Sequence, residues 1–183
     1  MVASLIVVIA LVDQLIKFLM LDLLADGNVI YVIGDWFRFR LLFNPGAAFS
    51  FGTGATWIFT CIQLAFVVGI SWYSPRIQDR WTAVGLGLVA GGAAGNLIDR
   101  LFREPGFFVG HVVDFISIGN FAVFNIADSA ITCGVIVYIC SAFIQEYQHK
   151  IQVDPDTATD TTEAERTVSP SNQASATKEE PHA

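Results

Sequence analysis

The chain has 183 residues, of which 54% are hydrophobic and 15% charged, with a net charge of −7. A soluble domain carries about 25% charged residues, and here the apolar residues come in long blocks, so the composition indicates an integral membrane protein. Five of the seven net negative charges fall in residues 151–183, where seven acidic residues face only Arg166 and Lys178; the apolar part is nearly neutral and nothing suggests a nucleic-acid partner.

The first apolar block, Val2–Leu24, has the position of a signal peptide, but it lacks a basic flank, is interrupted by Asp13 and Lys17 and is followed by no A-x-A site. It is expected to be a retained membrane helix, and the missing basic flank suggests that the true start of the chain, or part of this helix, lies upstream of Met1. Segment 25–54 carries two β-branched and aromatic runs, "NVIYVI" and "WFRFRLLF", around the turn signal "IGDW". These predict a small hairpin at the membrane surface, because an unpaired sheet edge cannot sit in hydrocarbon. Three further blocks, Ala55–Trp72, Thr82–Leu101 and Phe121–Ile144, are each long enough to cross about 30 Å of hydrocarbon at ~1.5 Å per residue.

"SPRIQDR" (74–80) reads as a polar loop, and "FREPGFFVGHVVDFISIGN" (102–120) as a re-entrant or interfacial segment. From about residue 149 the chain is acidic and lacks aromatic residues in its last 30 positions, the composition of a disordered tail. The predicted fold is an all-α membrane protein with four transmembrane helices, a small β-hairpin and a disordered C-terminal tail. The domain expectation is a membrane unit over 1–148, with its β segment at about 26–54, and a tail over 149–183. Arg76, Arg80 and Lys150 on the terminal side face Arg38, Arg40, Arg100 and Arg103 on the other, so charge counting does not fix the orientation.

An up-down order of four helices brings the polar residues to one membrane face. Asn96, Asp99 and Arg100 close the third helix, Asn125 and Asp128 open the fourth, Asp114 lies between them, and Asn44 ends the hairpin segment. Bland readings exist for each element. Asp99–Arg100 can be an interfacial ion pair, Asp128 can serve a helix dipole, and Asp13 and Lys17, spaced i,i+4, can neutralise each other. Gly87, Gly91 and Gly95 form a small-residue stripe for close helix packing. Ionisable residues within a membrane are nevertheless functional by default, and several gathered at one mouth argue against a purely structural role for all.

The available chemistry is narrow. Cys61, Cys133 and Cys140 lack disulfide or zinc spacing, no set of metal ligands is apparent, and His111 is the sole histidine before the C-terminal region, which leaves Ser-His and Cys-His nucleophiles without support. Asp114 and Asp128 remain. Two carboxylates close together share a proton, so one can activate water while the other donates to a peptide carbonyl, with no metal or cofactor.

The blocks "DQLIK" (13–17), "NPGAAFS" (44–50), "GGAAGNLIDR" (91–100), "VVDF" (112–115) and "FNIADSAI" (124–131) resemble, in order, the signature blocks of the bacterial lipoprotein signal peptidase (signal peptidase II) family. The resemblance covers residues 1 to about 148. It implies a membrane aspartyl endopeptidase with an extracytoplasmic β-cradle, which removes signal peptides from prolipoproteins by cutting before a diacylglyceryl-modified cysteine. It further implies Asp114 and Asp128 as the catalytic pair, with Asn125, Asn96, Asp99, Arg100, Asn44 and Asp13 as supporting or substrate-binding residues. Its partners are lipid-modified prolipoproteins and membrane lipids, and the protein is expected to be a monomer in the bacterial cell membrane. Both termini would be cytoplasmic and the active site extracytoplasmic. Pro45 departs from the usual polar or basic residue after Asn44, and the acidic tail matches nothing in the family core. The competing class is a small channel or transporter. A transport pathway needs polar residues reaching both faces, whereas the fourth helix beyond Thr132 offers only Ser141.

Overall fold

In the computed structural model, residues 1–46 and 56–153 are described. Four helices are long and apolar enough to cross a membrane: α1 (Val2–Leu23), α2 (Thr56–Tyr73), α3 (Arg80–Phe102) and α4 (Ile126–Val153). Between them lie three strands, β1 (Ile30–Ile33), β2 (Phe37–Asn44) and β3 (Val112–Ile118), forming an antiparallel sheet in the order β1-β2-β3.

α3 is the central helix. Buried residues make up 61% of its apolar window against 17–22% in the other three, whose large side chains, such as Leu11, Phe18, Val68 and Ile136, face outward. Small residues on two of its faces explain this position. Gly87, Gly91 and Gly95 meet Leu5, Ile9 and Asp13, a four-residue step on each helix, so the stripe expected to serve packing does so against α1. Gly85 and Gly92 meet Tyr138 and Ala127 of α4, and Gly134 of α4 returns the fit against Gly85 and Val89. Asp79 starts α3 as its N-cap: Oδ2 accepts the Thr82 N–H at 2.6 Å and the Ser141 hydroxyl at 2.7 Å, and these bonds hold the carboxyl below its ordinary range.

The hairpin forms where "IGDW" predicts it, with Trp36 N bonded to Ile33 O and Gly34 at φ +49°. The segment over 102–120 differs from the sequence reading. Its second half is strand β3, paired to β2 from Phe37↔Ile118 to Asn44↔Val112. Val112 to Phe115 are all buried, so the run lacks the alternation that marks a strand with one wet face. α4 starts at Ile126, five residues later than expected. "FAVF" is used instead to fold back on β3, where Phe124 exchanges backbone hydrogen bonds with Ile116. That return places the start of α4 beside the start of β3.

The compact unit covers Met1–Ala142, and a second begins at Phe143. The described part of the latter is the exposed end of α4, with a Lys150–Glu146 pair at 3.0 Å. The expected tail beyond Val153, and residues 47–54 of the expected β segment, lie outside the described residues.

Candidate active site

α4 opens with a reciprocal cap. Asn125 Oδ1 accepts the Asp128 N–H at 3.0 Å, and Asp128 Oδ2 accepts the Asn125 N–H at 3.2 Å. This is the geometry of a capping box built from Asn and Asp, so the bland reading of Asp128 as a helix-terminus residue is part of the truth. It engages only one carboxylate oxygen. The other, Oδ1, accepts from Asn96 Nδ2 of α3 at 2.8 Å.

Asp114 projects from β3 and is 1% exposed. Its Oδ1 accepts from Asn125 Nδ2 at 2.7 Å and its Oδ2 from Asn44 Nδ2 of β2 at 2.8 Å. Asn125 therefore bridges Asp114 and Asp128, and all four oxygens of the two carboxylates receive an N–H. Burial pushes the Asp114 carboxyl up to about 7; the Asn44 donor opposes the rise, the charge of Asp128 adds to it, and Asn125 and Lys17 oppose it. Asp128 is half-buried, which leaves the pair reachable from one side.

Beneath the pair lies a second polar layer. Lys17 and Asp13 of α1 and Asp99 of α3 are all fully buried, with Lys17 Nζ 2.7 Å from each carboxylate. Asp13 Oδ1 also accepts the Ala127 N–H of α4, and Asp99 Oδ2 accepts the Val113 N–H of β3. One layer thus ties together α1, α3, β3 and α4. The i,i+4 pairing of Asp13 and Lys17 is present, but Lys17 extends it to Asp99.

The suggested Asp99–Arg100 ion pair is corrected. Adjacent helical residues do not share a face, and Asp99 pairs with Lys17 and with Arg103, four residues on, at 2.6 Å. Arg100 turns inward instead. It is 4% exposed, donates to Gly110 O at 3.3 Å and lies 5.6 Å from the centre of the Phe59 ring; among the described residues its Nε has no partner. The eight residues singled out by sequence therefore gather in one cluster, Asn44 and Asp128 half-buried and the other six buried.

Sequence reasoning missed Gln14, Lys17 as a bridge, Arg103, Thr56 and Thr60. Gln14 donates to Asp99 at 3.1 Å, and the two threonines fix loops: Thr56 donates to Pro45 O at 2.7 Å and Thr60 to Phe108 O at 2.8 Å. Arg103 had a legible signal, its i+4 spacing from Asp99. The threonines had a weaker one, as hydroxyls at the start of a mostly apolar helix.

Comparison with known proteins is decisive at this point. The family model for signal peptidase (SPase) II matches residues 5–144. The chain belongs to the signal peptidase II family. A lipoprotein signal peptidase of Rhodococcus jostii (strain RHA1) is 46% identical over 137 residues, covering 75% of this chain and 69% of the relative. One from Mycobacterium tuberculosis (strain ATCC 25618 / H37Rv) is 45% identical over 139 residues, covering 76% and 69%. Among solved structures, a bacterial membrane enzyme determined by the in meso method superposes with a TM-score of 0.66 at 29% identity, covering 81% of this chain and 90% of that one. Membership in the signal peptidase II family makes the chain a peptidase with four helices suited to cross a membrane, and its matched region contains every residue of the polar cluster.

Proposed function

We propose that this chain removes signal peptides from prolipoproteins, cutting before a diacylglyceryl-modified cysteine, and that Asp114 and Asp128 are its catalytic pair. The carrying observation is the bridge: Asn125 donates to Asp114 and caps against Asp128, so one side chain sets the relation of both carboxylates. Asp114, whose carboxyl is raised to about 7, holds the shared proton near neutral pH and donates it to the scissile carbonyl oxygen. Asp128, the more open member, takes a proton from the attacking water. The water oxygen then bonds to the carbonyl carbon, and collapse of that gem-diol breaks the C–N bond: the amine leaves with the proton that Asp128 took from water, and a diol hydroxyl returns its proton to Asp114.

Asn96 and Asn44 hold the outer oxygens of the pair, while Asp13 and Asp99 brace the elements that carry it. The Nε donor of Arg100, which has no partner among the described residues, suits a substrate carbonyl. A diacylglyceryl substrate is confined to the bilayer, so a pair at the bundle mouth meets it at headgroup depth. The exposed aromatic and aliphatic side chains of the sheet, including Tyr31, Trp36 and Phe43, suit that interface. The protein acts as a monomer in the bacterial cell membrane, termini cytoplasmic and site extracytoplasmic. Residues 1–148 are the peptidase unit and 149–183 an appended acidic tail.

The test is cleavage of a diacylglyceryl-modified prolipoprotein by the purified protein in detergent, with and without a chelator, beside Asp114→Asn and Asp128→Asn. The asparagines keep the size of each side chain, and at 128 an amide oxygen can still cap α4. Cleavage by the parent before the modified cysteine, unaffected by the chelator and absent in both variants, supports the reading. Cleavage by both variants makes these aspartates structural.

A further inference from the structure

The Lys17 ammonium has no exposure to solvent and directs hydrogen bonds to three oxygens: Asp13 Oδ2 at 2.7 Å, Asp99 Oδ2 at 2.7 Å and Asn96 Oδ1 at 2.9 Å. An ammonium has three N–H groups, so this set is complete. The two carboxylates account for its charge; the amide oxygen is neutral and leads elsewhere. Asn96 Nδ2, on the other side of the same amide, donates to Asp128 Oδ1 at 2.8 Å. Asn96 Oδ1 also accepts from Asn125 Nδ2 at 3.1 Å, and that nitrogen donates to Asp114 Oδ1 at 2.7 Å.

We infer that Lys17 is a positioning residue for the aspartate pair: its ammonium fixes which end of the Asn96 amide faces Asp128. The inference rests on the dyad reading above. The two ends of an asparagine amide are nearly equal in shape, so only their partners decide how it lies. With Lys17 present, Nδ2 is turned to Asp128, and Oδ1 is left for Asn125, where it adds to the Asp128 N–H on Asn125 Oδ1 in holding that nitrogen towards Asp114. Without the ammonium, Asn96 Oδ1 keeps only the Asn125 contact. The amide is then held by Asn125 Nδ2 and by Asp128 alone, and it turns more often to set oxygen against the Asp128 carboxylate, two acceptors facing each other. A proton must enter between them, and the pair no longer starts the reaction with its proton on the correct member.

Removing Lys17 alone would strand Asp13 as a buried carboxylate, so the test uses the charge-neutral pair Asp13→Asn/Lys17→Met, in which Asp99 keeps Arg103. The full chain in detergent cleaves a diacylglyceryl-modified prolipoprotein, and kcat, KM and their pH profiles are read for this variant, for Asn96→Ala and for the two combined. The expected result is a kcat about tenfold or more lower with KM within about twofold, and an acid limb displaced upward by about one pH unit. If Lys17 acts through Asn96, its removal costs little further kcat once Asn96 is alanine. A parent-like kcat with an unmoved acid limb, or losses that multiply in full in the combined variant, overturns the inference. Thermal unfolding is measured first. Should the neutral pair not fold, Asn96→Asp keeps an oxygen for Lys17 and sets an acceptor with an added charge against Asp128, the arrangement inferred for the Lys17 variant; it is expected to give at least the same kcat loss, and parent-like turnover overturns the inference. Asp114→Asn and Asp128→Asn separate the two readings. If both still cleave, the dyad reading falls and takes this inference with it. If both are inactive while the neutral pair cleaves at the parent rate, this inference alone falls.

Discussion

Gly95 of α3 lies so close to Asp13 of α1 that a β-carbon there would sit 2.6 Å from Asp13 Oδ2, the oxygen that Lys17 holds. The close approach of two helices and the buried ion pair are therefore one feature. Gly95→Ala must push Asp13 out of its pairing with Lys17. Its expected cost is about 1–3 kcal/mol, the range for overpacking a tight interior. Gly69→Ala on α2, where a β-carbon meets nothing within 4 Å, is the matched control and should unfold with the parent. Thermal unfolding of both variants in one detergent compares them directly; equal midpoints would show that α1 and α3 can part without loss.

Asp99 and Arg100 are neighbours in sequence with opposite expected phenotypes. Asp99→Leu strands the Lys17 ammonium with one carboxylate, and frees Arg103 and the Val113 N–H. Breaking a buried pair in this way costs about 3–5 kcal/mol, so the variant should unfold at a much lower temperature. Arg100→Met removes a cation whose hydrogen bond among the described residues is a long one, to Gly110 O. It should keep most of its stability but lose turnover, read as cleavage rate per folded protein. A large fall in unfolding temperature for Arg100→Met would instead make Arg100 a brace like Asp99.

Much of this site is readable in the sequence because a membrane makes polar residues costly and therefore conspicuous. Asn96, Asp99, Asn125 and Asp128 stand out at the ends of apolar helices, and helix alternation brings those ends together, whereas Asp13 lies mid-helix and joined the site only through the family resemblance. The helices were legible by length for the same reason. β3 was not, because "VVDFISI" is buried from Val112 to Phe115 and such a run has no strand period to read. The pairing partners were not legible either. That Lys17 serves Asp99 and Asn96 as well as Asp13 depends on the rotation of α1 against α3. That rotation is set by glycines whose fit appears only in three dimensions.

Asp114 links the site to pH. Its carboxyl is raised from an ordinary 3.8 to about 7, chiefly by burial. A carboxyl that binds its proton more tightly when folded favours the fold at pH below 3.8, and that contribution is lost as pH rises to about 7. Stability should therefore decline across this interval by a component that Asp114→Asn abolishes. In catalysis the same proton is needed, so kcat/KM should fall as pH rises past about 7. Asn44→Ala removes a donor that holds the carboxyl down. Its alkaline limb should move to higher pH while its maximal rate drops. A limb that stays in place, or moves to lower pH, would mean that Asn44 does not act on Asp114 in the working enzyme.

Thr60 makes the last separable prediction. With Thr56 it is one of the two buried residues of a helix that otherwise faces outward; its hydroxyl lies 3.2 Å from Thr56 O and 2.8 Å from Phe108 O, and its single hydrogen serves the shorter contact. The second bond crosses from α2 to the loop that also supplies Gly110 O to Arg100. Phe108 takes φ +72°, a backbone state that L residues other than glycine seldom adopt without support. Thr60→Val keeps the shape and removes the donor, a loss of about 1 kcal/mol if it is an ordinary hydrogen bond. The loop then leaves its position more often, and Arg100 loses the carbonyl that directs it. Because the aspartate pair is untouched, the effect should fall on KM, which rises severalfold while kcat and the pH limbs stay near the parent values. A drop in kcat with unchanged KM would place the effect of Thr60 on the chemical step instead of on substrate docking.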